Sequence, residues 1–255
     1  MEDYTRDMAV AYGQELAEKV EAGEMAASTA QNYLSAVNTV MGLATQGQWE
    51  SVSPTRDCGI AERSSIRSEA PGALDREAYS RALSEVREQV GERAAAVVEL
   101  ARELGLRSKE ASLIDARSAL AEALSRGFIT VSEGTKGGRD REVPITSEKQ
   151  LDALSRAAQA QGSDRSMIPA SESWKTWREG TLRDAREVVQ AHTGGGLHDL
   201  RAAYACERYE SLTGHAAPVA GGETVDRELD REAREIIAEE LGHGRIDVTS
   251  EYLGR

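Results

Sequence analysis

A mainly α-helical fold with one small antiparallel β-sheet, an α+β arrangement in two domains, is what the sequence predicts from three observations. Aromatic residues are only 4% of a chain whose hydrophobic fraction is 40%, so Ala, Val, Leu and Ile must fill the core, which favours helices. Apolar residues recur at spacings of three and four through most of the chain, the period of a helix with one buried face. A single stretch, FITVSEGTKGGRDREVPIT, breaks that pattern. Its two short runs at 128–131 and 143–145 flank a Gly-rich charged tip, which reads as a hairpin.

From the N-terminus, MAVAYGQELAEKVEAG predicts a helix ending near Gly23. In ASTAQNYLSAVNTVMGLA, Ser28 followed by Gln31 has the pattern of a capping box, and Ala30, Leu34, Val37 and Met41 give the apolar face. Residues 47–73 carry Gly, Ser, Pro and charge without a sustained period, as a linker does, which sets a domain boundary near residue 70. Helical patterning resumes in LDREAYSRALSEVREQVGERAAAVVELARELGL, where Gly105 is the stop, and restarts in LRSKEASLIDARSAL. Beyond the hairpin, EKQLDALSRAAQAQ, WREGTLRDAREVVQ, HDLRAAYACERYESL and REAREIIAEEL are helical, with Gly-rich breaks at 194–196 and 221–222. No internal repeat is visible.

Charge and cysteine usage narrow the function classes. Two cysteines, Cys58 and Cys206, do not make a disulfide framework or a zinc site, so a reducing, cytoplasmic compartment is expected. The N-terminal MEDYTRDMAV lacks the basic and apolar regions of a signal peptide, and no apolar run is long enough for a membrane span. A net charge of −13 runs against the basic balance usual for a nucleic-acid binder, but net charge describes the whole surface and not a site.

Four places carry side chains suited to chemistry. His198 and Arg201, in GGGLHDLRAAY, lie three apart and so share a helix face. Arg107 and Glu110 have the same spacing in LGLRSKEASL, where a local ion pair worth a few tenths of a kcal/mol is the ordinary explanation. Lys136 stands at the hairpin tip. The stretch ELGHGRIDVTSEYLGR places His243 at a helix end and Tyr252 nine residues later. Singly, each has an ordinary structural explanation: surface decoration, a solvated tip, a helix cap or packing.

Taken in order, Arg-x-x-Glu, the hairpin Lys of TKGGRDREVP, His-x-x-Arg, Leu-Gly-His and the Tyr beyond it resemble the tyrosine recombinases, the phage integrase family. The resemblance covers residues from about 75 to the C-terminus. It implies a tyrosine recombinase catalytic domain over 71–255, and the helical segment 1–70 is similar, less specifically, to that family's core-binding (SAM-like) DNA-binding domain and its linker. It further implies that Tyr252 attacks a DNA phosphodiester to give a 3′-phosphotyrosyl link and a free 5′-hydroxyl. Because the covalent link conserves the bond energy, no cofactor, ATP or metal is called for.

The residue types suit that chemistry. A phenol with pKa about 10 is mostly protonated at pH 7, a handicap of about 4 kcal/mol for the phenolate, and the transition state spreads negative charge over the non-bridging oxygens. By resemblance, Arg107 and Arg201 neutralise that charge with paired hydrogen bonds, Lys136 protonates the leaving oxygen, and His198 and His243 bond the phosphate and assist proton transfer. Glu110 is expected to orient Arg107. The implied partner is double-stranded DNA at attachment or recombination sites, bound by a homotetramer with or without accessory proteins, in a cytoplasmic, nucleoid-associated setting.

Integration or excision of a mobile element is the leading outcome. Dimer resolution, topoisomerase IB-like relaxation and a non-catalytic DNA-binding module that keeps the fold are the alternatives. Two features depart from the family pattern: only Leu253, Gly254 and Arg255 follow the Tyr, and the segment between Arg201 and His243 is long, with TGHAAPVAGGETVD read as a surface insertion and His215 as solvent-exposed. Trp174 and Trp177 are expected in the core more readily than stacked on DNA.

Overall fold

The computed structural model describes residues 4–62 and 64–255, which divide into two compact units, 1–65 and 66–255. In the first, α1 (Arg6–Glu21) and α2 (Ala27–Ala44) enclose a small core of Ala9, Leu16, Ala30, Leu34, Val52, Cys58 and Ile60. Thr5 caps α1 by accepting from the Met8 amide. The expected cap of α2 is not formed. Ala26 is its N-cap, Ser28 lies inside the first turn, and Gln31 donates instead to the Ala61 carbonyl.

Residues 47–60, aperiodic and so read as linker, are packed. Asn38 accepts from Trp49 Nε1 and the Val52 amide and donates to the Val52 carbonyl, while Asp57 accepts from Arg6 and the Ser53 amide. Side-chain hydrogen bonds to backbone fasten this segment where no ladder does. Val52 and Ile60 are thereby buried.

The second unit is built around α4 (Glu92–Glu103), whose every residue from Ala94 to Glu103 is buried. Ala, Val and Leu supply most of that surface, and the charged Glu99, Arg102 and Glu103 are buried with ion-pair partners on neighbouring helices. The helix packs on α3 (Arg76–Gln89), α5 (Ser108–Leu113), α7 (Glu148–Gln161), α9 (Thr181–Thr193) and α10 (Leu197–Thr213). Gly91, at φ 115°, separates α3 from α4, and Gly180 separates α8 (Trp174–Glu179) from α9, so two stretches with continuous helical patterning each form two helices. The remaining helices are α6 (Ala116–Arg126), α11 (Arg227–Glu240) and the short α12 (Ser250–Leu253).

The hairpin forms as expected from β1 (Phe128–Val131) and β2 (Arg141–Pro144), antiparallel, with Ile129 opposite Val143 and Val131 opposite Arg141. The period of two turns Ile129, Val131, Arg141 and Val143 to the buried face. An arginine is thus carried inward. Trp177 is core, 2% exposed, and its indole N–H donates to Ser112 Oγ; Trp174 is half-buried against the same core. No helix among the described residues is long and apolar enough to cross a membrane.

The segment between α10 and α11 is only partly a surface feature. His215 is exposed, but Ala217 is 1% exposed, and Val219, in the 3-10 turn Pro218–Ala220, packs against Gly254. The segment therefore supports the chain end that carries Tyr252.

Candidate active site

Five elements bring side chains to one place: the start of α5, the first turns of α10, strand β2, the turn after α11, and α12. Arg107 is the N-cap of α5, and Glu110 accepts from the Arg107 amide at 2.7 Å and from Arg107 Nη1 at 2.7 Å. The i, i+3 pair read from the sequence is real but is not a solvated surface pair. Glu110 is fully buried, and Arg141 adds two parallel bonds to it, Nη1 to Oε1 at 2.9 Å and Nη2 to Oε2 at 2.6 Å. Burial raises the pKa of this carboxyl, but the Arg141 and Arg107 bonds and charges outweigh it and hold the value at about 2.

Arg201, 1% exposed, is held by backbone. Its Nη1 donates to the Gly105 carbonyl and its Nη2 to the Leu241 carbonyl. Two glycines make this approach feasible. Gly105 has φ 62°, and a Cβ there would lie 2.5 Å from Tyr204 Cδ1; Gly242 has φ 67°, and a Cβ there would lie 2.8 Å from Arg141 Cδ. Burial lowers the Arg201 pKa to about 10, which leaves the guanidinium charged at neutral pH.

Tyr252 lies against this guanidinium. Its hydroxyl accepts from Arg201 Nε at 3.4 Å and is 3.2 Å from His243 Nε2, and its ring centroid is 5.4 Å from those of both His198 and His243. The side chain is 2% exposed, yet the hydroxyl meets polar partners and not an apolar wall. The Cys206 thiol donates to the Tyr252 carbonyl, and the Arg67 amide donates to Ser250.

The hydrogen bonds also assign the His243 tautomer. Arg201 Nη2, which can only donate, is 3.4 Å from His243 Nε2, so that nitrogen is the acceptor and the proton sits on Nδ1. His243 Nε2 is then also the acceptor within reach of the Tyr252 hydroxyl, 3.2 Å away. Burial first, and then the Arg201, Arg107 and Arg141 charges, push the His243 pKa down to about 4, so the imidazole is a neutral acceptor at physiological pH. His198 is lowered for the same kinds of reason, close packing followed by Arg201 and Arg67.

Of the six residues singled out in the sequence, Arg107, Arg201, His198, His243 and Tyr252 converge. Lys136 does not: it is exposed at the hairpin tip and makes no hydrogen bond or ion pair among the described residues. The hairpin nonetheless reaches the site farther along, where a Cβ on Gly244 would lie 2.8 Å from Arg139 Nη1. Arg141 was missed. The signal for it was available in the alternation of β2, which puts an arginine in phase with Val143. The other tyrosines of α10 serve differently: buried Tyr204 donates to Glu240 Oε2 at 2.8 Å and Tyr209 to Asp230 Oδ1 at 2.7 Å, and both have raised pKa values, first from burial and then from the adjoining carboxylates.

A mainly helical unit with one hairpin, presenting arginines, histidines and a tyrosine at a single locus, is the architecture of a tyrosine recombinase catalytic domain. The family model for Integrase matches residues 61–207, more than half of the chain, and the chain belongs to that family, the tyrosine recombinases. The matched span includes Arg107, Lys136, His198 and Arg201 and ends before His243 and Tyr252.

Among solved structures, the fold is similar to a lambda integrase dimer bound to a COC' core site, at 17% identity and TM-score 0.56, over 99% of this chain and 65% of that one. It is also similar to XerH site-specific recombinase bound to palindromic difH substrate in a post-cleavage complex, at 16% identity and TM-score 0.62, over 99% and 69% of the two chains. The Tn1549 transposon integrase in complex with circular intermediate DNA shares 13% identity with a TM-score of 0.58, over 99% and 83%. The chain thus spans about two thirds of the length of the lambda integrase chain. No curated protein sequence matches it.

Proposed function

We propose that this chain is a site-specific DNA strand transferase that breaks and rejoins double-stranded DNA through a 3′-phosphotyrosyl intermediate on Tyr252, in the integration or excision of a mobile element. The observation that carries the proposal is the Tyr252 hydroxyl held between Arg201 Nε and His243 Nε2.

The chemistry follows from that geometry. The phenol proton passes to the bare Nε2 of His243 as the oxygen attacks phosphorus, and Arg201 stabilises the developing phenolate. Arg107, 23% exposed in its side chain, and the Nε of Arg201 supply positive charge for the non-bridging oxygens of the phosphorane-like transition state. His198 adds a hydrogen-bonding group at the same phosphate. A bond forms between Tyr252 oxygen and phosphorus, the bond to the 5′-oxygen breaks, and that oxygen takes a proton from Lys136, brought in by movement of the hairpin tip when DNA binds. Attack by a 5′-hydroxyl of a second strand reverses the step.

The partners that fit this reading are attachment-site DNA and further copies of the chain, four across two duplexes, with accessory proteins setting direction and the whole associated with the nucleoid. The 1–65 unit serves as the second DNA-contacting domain. An acidic surface and a basic site are compatible, because net charge describes the whole surface while Arg107, Arg141 and Arg201 concentrate positive charge around one carboxylate.

The test is a nicked suicide substrate built from repeats that flank the gene. Wild-type protein should form a covalent adduct that survives denaturation, while Tyr252→Phe should bind the same DNA and form none. Gel shift without adduct for the wild type would leave only a DNA-binding module.

A further inference from the structure

We infer that Arg141 is a positioning residue that occupies the Glu110 carboxylate and so keeps the charges of Arg107 and Arg201 available to the scissile phosphate. The inference rests on the strand-transfer reading above. A carboxylate offers about four acceptor sites, and at Glu110 all four are filled: two by Arg141, one by the Arg107 amide and one by Arg107 Nη1. Arg201 Nη1 is 3.9 Å from Glu110 Oε2, near enough to feel the charge yet bonded elsewhere, to the Gly105 carbonyl. The third donor of Arg141, Nε, bonds the Glu240 carbonyl at 2.8 Å, one residue before the Leu241 carbonyl that receives Arg201.

One side chain on the hairpin thus ties the carboxylate, the α5 start and the α11 end into a single arrangement. Without it, Glu110 keeps its charge inside the protein with two acceptor sites bare, and the nearest guanidinium able to fill them is Arg201. That guanidinium would turn toward Glu110, leave its backbone carbonyls and withdraw Nε from Tyr252. A buried carboxylate that quenches a catalytic arginine defeats the site as surely as losing the arginine.

The experiment compares single-turnover adduct formation on the suicide substrate by wild type, R141Q, R141K, E110Q and the double variant E110Q/R141Q, each first checked for folding by circular dichroism. R141Q should slow adduct formation by about 10²-fold, the order expected when one transition-state charge is lost. R141K should recover most of the rate, because it keeps a cation on Glu110.

The decisive variant is the double one. With Glu110 neutral there is no charge to hold away from Arg201, so E110Q/R141Q should be faster than R141Q and approach the wild-type rate to within about tenfold. A tether with no electrostatic role gives the opposite order, the double variant as slow as R141Q or slower, and that result overturns the inference, as does R141Q at the wild-type rate. If R141Q does not fold, R141K and the neutral double variant decide the matter alone, and a double variant that folds but lags R141K by more than about 10²-fold overturns it.

Inorganic phosphate binding, followed by the His243 imidazole resonance, separates this inference from the one beneath it. Binding weakened in R141Q and restored in the double variant supports the role of Arg141 even where wild type forms no adduct, an outcome that would sink strand transfer only. Equal phosphate binding in all variants counts against Arg141.

Discussion

Two networks of charge sit in the same unit, and they differ in stoichiometry. On one side of α10, Arg76 and Arg102 meet Glu103 and Glu207, with Arg102 bonding Glu207 at 2.5 and 3.0 Å: two guanidiniums to two carboxylates. On the other, Arg107, Arg141 and Arg201 share Glu110 alone, three to one, an excess of two positive charges. The first is closed on itself and joins α3, α4 and α10. The second is not balanced by its own carboxylate, and Tyr252 and His243 stand beside its least compensated member. Burying charge costs free energy unless it is paired. The count of opposite charges therefore separates a self-compensated network from one with positive charge to spare.

The sharpest break in this comparison comes at the open network. Arg201→Ala should reduce adduct formation by about 10²- to 10³-fold, as removal of a donor to a developing oxyanion does, while leaving DNA retention in a gel shift largely intact. An unchanged cleavage rate would deny that the excess charge is used.

At the closed network the opposite outcome is expected. Glu207→Gln should lower unfolding free energy by about 2 kcal/mol, less than for a fully buried pair because the Glu207 side chain is 35% exposed. Urea melts would measure that loss, and the adduct rate of the folded fraction should stay at the wild-type value.

Acid sharpens the contrast. The folded His243 pKa of about 4 lies below the 6.5 of a free imidazole, so between these values the unfolded chain takes up a proton that the folded one refuses. Its contribution to stability is present above pH 6.5 and lost as pH falls to 4. Glu110 acts in the same direction lower down: its contribution is whole above 4.5 and lost as pH falls toward 2. NMR titration of the free protein should place the His243 midpoint near 4. A midpoint near 6.5 would mean that neither burial nor the arginines act on the imidazole as the structure implies. The smallest effect belongs to His215, exposed and outside both networks: His215→Ala should shift stability by less than about 0.5 kcal/mol and leave the adduct rate alone.

Local patterns were informative where one element controls the outcome. The hairpin was legible from two β-branched runs around a Gly-rich tip, α2 from Ala30, Leu34 and Met41, and the Arg107–Glu110 spacing from a single turn of helix. Errors arose where a distant partner decides. Ser28 had the form of a cap, yet the helix begins two residues earlier and Gln31 is drawn to Ala61. Residues 47–60 had no period because Asn38 and Asp57 hold them by side-chain bonds. Continuous helical patterning across Gly91 and Gly180 hid two breaks that backbone angles impose.

By itself the sequence determined the helical class, the hairpin, and five of the side chains that meet at the site, because short-range periodicity and ordered motif spacing are local properties of the chain. Only the tertiary structure decided that Glu110 lies beneath three arginines, that Arg141 is one of them, that Arg201 Nε reaches the Tyr252 hydroxyl, and that Lys136 stands apart. These depend on hydrogen-bond direction and on burial across 31 to 99 residues of separation, and no local pattern encodes which distant groups a buried charge will find.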